Sequence, residues 1–88
     1  MIEKHFALED IDPVIFYGIN NVHLQMIKSL FPKLRIVARD NIINIFGDEE
    51  ETARFEGDLE TMRKHVLKFN TISDEDILDI VKGRHTRE

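Results

Sequence analysis

Apolar residues recur along this chain at two spacings, and the places where one gives way to the other divide it into elements. Glu3 to Glu9 puts Phe6 and Leu8 on one face at a period of two and predicts a strand. Asp12-Pro13 then opens a helix, because proline forfeits an amide that would lack a partner in the first turn anyway. That helix, Val14 to Tyr17, lasts barely a turn before Gly18. Asn20 or Asn21 is expected to cap a second helix, with Val22, Met26, Ile27 and Leu30 as its apolar stripe. It must stop near Phe31-Pro32, since the residue before a proline is pushed out of helical geometry. From Lys33 the period becomes two again, with Leu34, Ile36 and Ala38 on one face and Lys33, Arg35, Val37 and Arg39 on the other.

Asp40-Asn41 is turn chemistry between two strands, though it lacks the glycine of the tightest hairpins. Ile42 to Phe46 is the returning strand and Gly47 ends it. A long helix follows. Asp48 to Glu51 complements its positive N-terminus, and Phe55, Leu59, Met62, Val66 and Phe69 recur at steps of 4, 3, 4 and 3. Arg63, Lys64 and Lys68 fall in its last turns, as the helix dipole favours. Ser73 and Asp76 imitate a capping box and start a last helix, Asp74 to Lys82, with Ile77, Ile80 and Val81 on one side and Gly83 closing it. Arg84 to Glu88 reads as a polar tail or the beginning of a linker.

Composition narrows the function classes. With 88 residues, 42% apolar and 33% charged, the chain is one globular domain rather than a disordered one. A domain of this size buries only roughly 60% of its unfolded surface, which leaves little room for a deep substrate cavity. There is no cysteine, so disulfides and thiol chemistry are excluded by inventory. No secretory signal or run of about 20 apolar residues appears, and a cytoplasmic location without membrane contact is expected. The net charge of −5 argues against nonspecific coating of nucleic acid. Its distribution is uneven: Asn20 to Arg39 holds four cations (Lys28, Lys33, Arg35, Arg39) and no acid, whereas Asp40 to Glu60 holds eight acids and one base, Arg54. The acidic run is explained by the start of the long helix. His5, His23, His65 and His85 show no metal-ligand spacing, and Ser29 and Ser73 lack a nucleophile context, so neither a metal nor catalysis is expected.

The order β-α-α-β-β-α, with a glycine loop between the early helices, resembles the type I KH fold, which binds short single-stranded RNA or DNA. The family's loop is Gly-x-x-Gly; here it is Gly18-Ile19-Asn20-Asn21, with Asn21 in place of the second glycine. Asparagine tolerates left-handed backbone, so the turn is expected to survive. More specifically, the chain is similar throughout to the N-terminal domain of PhoH-type, phosphate-starvation-inducible ATPases. The phrases that carry this are Phe16-Tyr17-Gly18-Ile19-Asn20-Asn21, Phe31-Pro32-Lys33-Leu34-Arg35-Ile36-Val37-Ala38-Arg39, Ile45-Phe46-Gly47-Asp48-Glu49-Glu50 and Asp76-Ile77-Leu78-Asp79-Ile80-Val81-Lys82-Gly83.

The resemblance implies an α+β fold: a three-stranded antiparallel sheet with helices on one face, a KH-like domain over residues 1–70, and a short helix plus linker over 71–88 leading to a P-loop ATPase domain. No Gly-x-x-x-x-Gly-Lys-Ser/Thr occurs here, so ATP and Mg²⁺ are expected only in that absent domain, and this chain is expected to be non-catalytic. Two functions follow. For single-stranded RNA, Gly18, Ile19, Asn20 and Asn21 are expected against the phosphates, Lys28 and Arg35 as the charge, and Ile36 with Val37 as the apolar wall beneath the bases. For protein interaction, the sheet face bearing Arg35, Val37, Ile42, Asn44 and Phe46 is expected to pair two copies or dock the ATPase domain.

Overall fold

Three strands form one antiparallel sheet in the computed structural model, which describes residues 1–82: β1 (Ile2–Ala7), β2 (Arg35–Arg39) and β3 (Ile42–Gly47). Their spatial order is β1-β3-β2, so the returning strand of the hairpin lies at the centre. β3 earns that position by composition. Ile43 and Ile45 point to the core and are at most 1% exposed, while Ile42, Asn44 and Phe46 point away from it. In register, Ile36 pairs with Ile45 and Ala38 with Ile43, giving β2 the alternation its sequence predicts. β1 is shorter than the expected span. Glu3, Lys4 and His5 are exposed, which fits an edge strand held by its ladder to β3. Leu8, expected within that strand, leaves the ladder and is buried, its amide donating to the Asn41 carbonyl at 2.7 Å.

Four α-helices occur among the described residues: α1 (Pro13–Tyr17), α2 (Val22–Leu30), α3 (Glu49–Phe69) and α4 (Asp74–Lys82), with a 3₁₀ turn at Ile19–Asn21 between the first two. Local chemistry sets most of their ends. The Asp12 carboxylate accepts from the Val14 amide at 2.9 Å, and that of Asp48 accepts from the Glu51 amide at 3.0 Å. The capping box of α4 is reciprocal: the Ser73 amide donates to Asp76 Oδ2 at 3.0 Å, and the Asp76 amide to Ser73 Oγ at 3.2 Å. Asn70 closes α3 in left-handed geometry at φ 59°. Gly83 and Arg84 to Glu88 lie outside the described residues.

The core lies between the helices and the inner face of the sheet. Phe55, Leu59, Met62 and Val66 of α3 are buried as the periodicity predicts. Phe55 meets Phe31 edge to face at 4.6 Å between centroids, a geometry worth about 0.5–1.5 kcal/mol beyond the buried area. Ile72, Ile77 and Ile80 join the same cluster, so α4 shares the core of the rest. His23 on α2 reaches Asp74 at 3.5 Å and His65 on α3 reaches Asp76 at 3.2 Å, so both helices touch α4's first turn. A Cβ at Gly47 would lie 2.3 Å from Leu34 Cδ2, so any larger residue there needs the buried Leu34 side chain to shift.

Two stripe assignments are corrected. Phe69 is 55% exposed because the chain turns away at Asn70, and its ring lies against His65 at 4.7 Å instead of in the core. Val22 is 49% exposed, and the buried residues of α2 are Leu24 and Ile27.

Candidate nucleic-acid interface

The connection between α1 and α2 is built almost entirely from unusual backbone. Gly18 ends α1, its amide donating to the Val14 carbonyl at 2.9 Å, and adopts φ 84°, ψ 168°. Side chains are essentially excluded from that region, and a Cβ on Gly18 would also meet the His23 ring at 2.9 Å. Asn20 (φ 56°) and Asn21 (φ 60°) follow in left-handed geometry. Asparagine is among the few residues that accept this, so Asn21 fits where a second glycine would otherwise be favoured. Neither asparagine caps α2 through its side chain as expected; Asn21 precedes the helix in left-handed rather than extended backbone. The positive N-terminal end of α2 therefore lacks a side-chain cap beside the loop.

This loop borders a cleft of about 990 Å³. Val14 and Tyr17 of α1, Leu24 of α2, Ile11 and Ala38 supply apolar surface, and Asp40 and Asn41 of the β2–β3 turn stand among its walls. Two apolar side chains at the cleft are strongly exposed, Val14 at 66% and Ile19 at 80%, which marks a surface that other molecules can cover. The cleft's formal charge comes from carboxylates, Glu9 and Asp40; no lysine or arginine lines it. Tyr17 packs edge to face on Phe16, with centroids 6.0 Å apart. Its hydroxyl is buried, with no hydrogen-bond partner among the described residues. Burial, and secondarily the Asp40 carboxylate, hold the phenol above its ordinary pKa.

A different surface lies on the far side of the sheet. Register sets Arg35 beside Phe46, Val37 beside Asn44 and Arg39 beside Ile42. A hollow of about 460 Å³ forms among Met1, Arg35, Val37, Arg39, Asn44 and Phe46. His5 of β1 is hydrogen-bonded to Asn44 through Nδ1.

The residues expected to form one RNA site are thus divided. Gly18, Ile19, Asn20 and Asn21 line the cleft. Lys28 is exposed on α2 and is not among the cleft's lining; Arg35 and Val37 lie on the open sheet face. Ile36 is 6% exposed and belongs to the core, so it cannot wall bases together with Val37: neighbours in a strand face opposite ways. The expected interaction face holds together, with Val37, Ile42, Asn44 and Phe46 all pointing away from the core. Tyr17, Leu24, Ala38, Asp40 and Asn41 enter the cleft without having been foreseen there. Tyr17 reads locally as core and Asp40-Asn41 as a turn, and only the tertiary fold brings them to one cleft. Among the described residues, no group of three or more His, Asp or Glu side chains could hold a metal ion, and no helix is long and apolar enough to cross a membrane.

Comparison of the chain with family models, with curated proteins and with solved structures found no match.

Proposed function

We propose that this chain is a non-catalytic, type I KH-like domain of a PhoH-type ATP-binding protein, and that it binds single-stranded RNA in the cleft beside Gly18–Asn21. The observation that carries the reading is the juxtaposition of that loop, with three positive-φ residues and an uncapped helix N-terminus, with an apolar cleft. Bases have apolar faces to lay on Val14, Leu24 and Ala38, and phosphates are attracted by backbone amides and the helix dipole at the loop. The antiparallel order β1-β3-β2, with two helices between β1 and β2, agrees with the KH arrangement. Since no lysine or arginine lines the cleft, the charge term is small. Binding is expected to be weak, with a log-log salt slope shallower than about −1, from roughly 0.7 per neutralised phosphate on a single strand.

The test is fluorescence anisotropy with a labelled random-sequence RNA octamer, comparing wild type with Asn20→Asp/Asn21→Asp. Aspartate accepts left-handed backbone, so the pair keeps the loop while setting two negative charges where phosphates would lie. An affinity at least tenfold lower than wild type is the expected result. Equal binding by both proteins rejects the loop as the phosphate site.

A second reading is favoured by one specific grouping: Val37, Ile42, Asn44 and Phe46 beside Arg35 and Arg39 on the open sheet face. This surface suits docking of a second copy or of the ATPase domain, and sedimentation of wild type against Val37→Asp tests the first of these.

A further inference from the structure

We propose that the free edge of β2 takes an extended acidic segment of a protein partner as a fourth strand, in which alternate residues read acid, large apolar, acid. This rests on the second reading above, that the open sheet face docks protein, and names what it docks. Among the described residues β2 pairs only with β3, so its outer edge carries backbone amides and carbonyls that no strand pairs. Arg35, Val37 and Arg39 point to the open face from that edge. Both arginines are exposed, and neither has a side-chain ion pair or hydrogen bond among the described residues. Between them Val37 borders the hollow that Met1, Asn44 and Phe46 complete. Glu3, the carboxylate that register places on this face, stands on β1 beyond β3, and its nearest cation is His5 at 3.5 Å.

In strand addition the backbone ladder supplies affinity and the alternate side chains supply specificity. Four residues of a strand span about 13 Å, so the two arginines are set that far apart at their Cα atoms with Val37 midway. A segment paired with β2 brings its own alternate side chains to roughly 4.5–5.5 Å from those three. Carboxylates opposite Arg35 and Arg39 then meet planar guanidinium groups, whose paired N–H donors match both carboxylate oxygens. A large apolar residue opposite Val37 covers it and leans into the hollow toward Phe46. The pattern is its own reverse, so it serves a parallel or an antiparallel segment alike. A second copy is a poor occupant of this edge: antiparallel pairing about Val37 sets Arg35 of each copy against Arg39 of the other, a like-charge pair at both ends. The other edge of the sheet, β1, alternates Glu3, Lys4 and His5 along its exposed part and favours neither sign.

The experiment is fluorescence anisotropy with two labelled peptides and the whole chain, at about 0.05 M salt so that surface charge is not fully screened. One peptide carries a run of glutamate, threonine, phenylalanine, threonine and glutamate; the other has lysine in place of both glutamates. Wild type is expected to bind the acidic peptide at least about fivefold tighter than the basic one. Arg35→Glu/Arg39→Glu is expected to invert that order, an outcome that also shows the variant to be folded. With the acidic peptide bound, amide exchange along Arg35–Arg39 is expected to slow. No binding of the acidic peptide, or equal affinity for both peptides in wild type, overturns the inference. So does binding that leaves amide exchange in β2 unchanged, since charge attraction without strand addition would account for it. In those events sedimentation of wild type against Val37→Asp judges the second reading separately: self-association that the substitution abolishes keeps the open face as a protein surface, with a second copy as its occupant.

Discussion

The two faces of this small sheet are separated by a single residue step and differ in kind. Ile36 looks toward the helices and is 6% exposed; Val37, the next residue, looks away and is half-buried beside Phe46 and Asn44. On the helix side the chain forms a cleft with apolar walls and carboxylates but no lysine or arginine, whereas the open side carries Arg35 and Arg39 around a smaller apolar hollow. The positive charge that is contiguous in sequence is therefore not at the glycine loop in space. A basic stretch marks a binding site only if strand alternation and helix phase bring its members to the same face.

The sharpest test of this division is a pair of substitutions on adjacent residues. Ile36→Ala removes a buried side chain from a packed interior and is expected to cost about 2–5 kcal/mol. Val37→Ala, on the open face, is expected to cost less than about 1 kcal/mol. Urea unfolding of both variants reads the difference directly, and equal losses would mean that β2 is buried on both sides. A smaller effect is expected at the loop. Gly18→Ala places a Cβ in a backbone region that side chains avoid and against the His23 ring, a cost of about 1–3 kcal/mol. The same change should reduce RNA affinity while leaving the open face unaltered. If Gly18→Ala is as stable as wild type, the loop does not hold this geometry in solution.

How much of this was legible follows from how local each cause is. The caps at Asp12 and Ser73–Asp76 depend on residues two or three apart and read correctly from the chain, whereas Asp48 reads there only as one of several carboxylates at a helix start and is found to be the cap. The inner faces of β2 and β3 follow from simple alternation. Errors gather where a local rule meets a helix end. Phe69 continues the period of α3, but the chain has already begun to turn at Asn70; Val22 fits the stripe of α2, but sits on the turn before it has met the core. The cleft was illegible for another reason. Tyr17 and Asp40 stand far apart in sequence, and nothing near either one signals the other. Only the tertiary fold brings them to one cleft.

A still smaller effect concerns the cleft side alone, through α4, which backs α2. The Asp76 carboxyl is held below its ordinary pKa, chiefly by the Ser73 amide, with the Ser73 hydroxyl and His65 contributing. A carboxyl depressed in the folded state contributes stability that is complete above its unfolded value and is lost as pH falls through the folded one. Acidification below the ordinary carboxylate range should therefore loosen the first turn of α4, measured as faster amide exchange there than in β3. Asp76→Asn, which does not titrate, should remove most of this acid dependence, whereas Ser73→Ala keeps the Ser73 amide and should cost about 1 kcal/mol at neutral pH while leaving most of it. An acid response of α4 that is unchanged in Asp76→Asn would mean that the Asp76 carboxyl is not its source.

The smallest expected change is the one that decides between the two faces. Arg35→Glu/Arg39→Glu reverses the charge of the open face at two residues that do not themselves line the loop or the cleft, although Arg39 is flanked in sequence by Ala38 and Asp40, which do. At 0.15 M salt, exposed charges more than about 8 Å apart are largely screened. An RNA octamer bound in the cleft should therefore lose no more than about twofold in affinity. The variant does remove Arg35 and Arg39, which share the hollow with Val37 and Phe46, so a strand lying on the open face would lose tenfold or more and its salt slope would flatten. In that event the glycine loop would be a turn and the sheet the platform. Near-constant affinity, together with loss in Asn20→Asp/Asn21→Asp, would instead fix the strand to the helix side and leave the open face free for protein contacts.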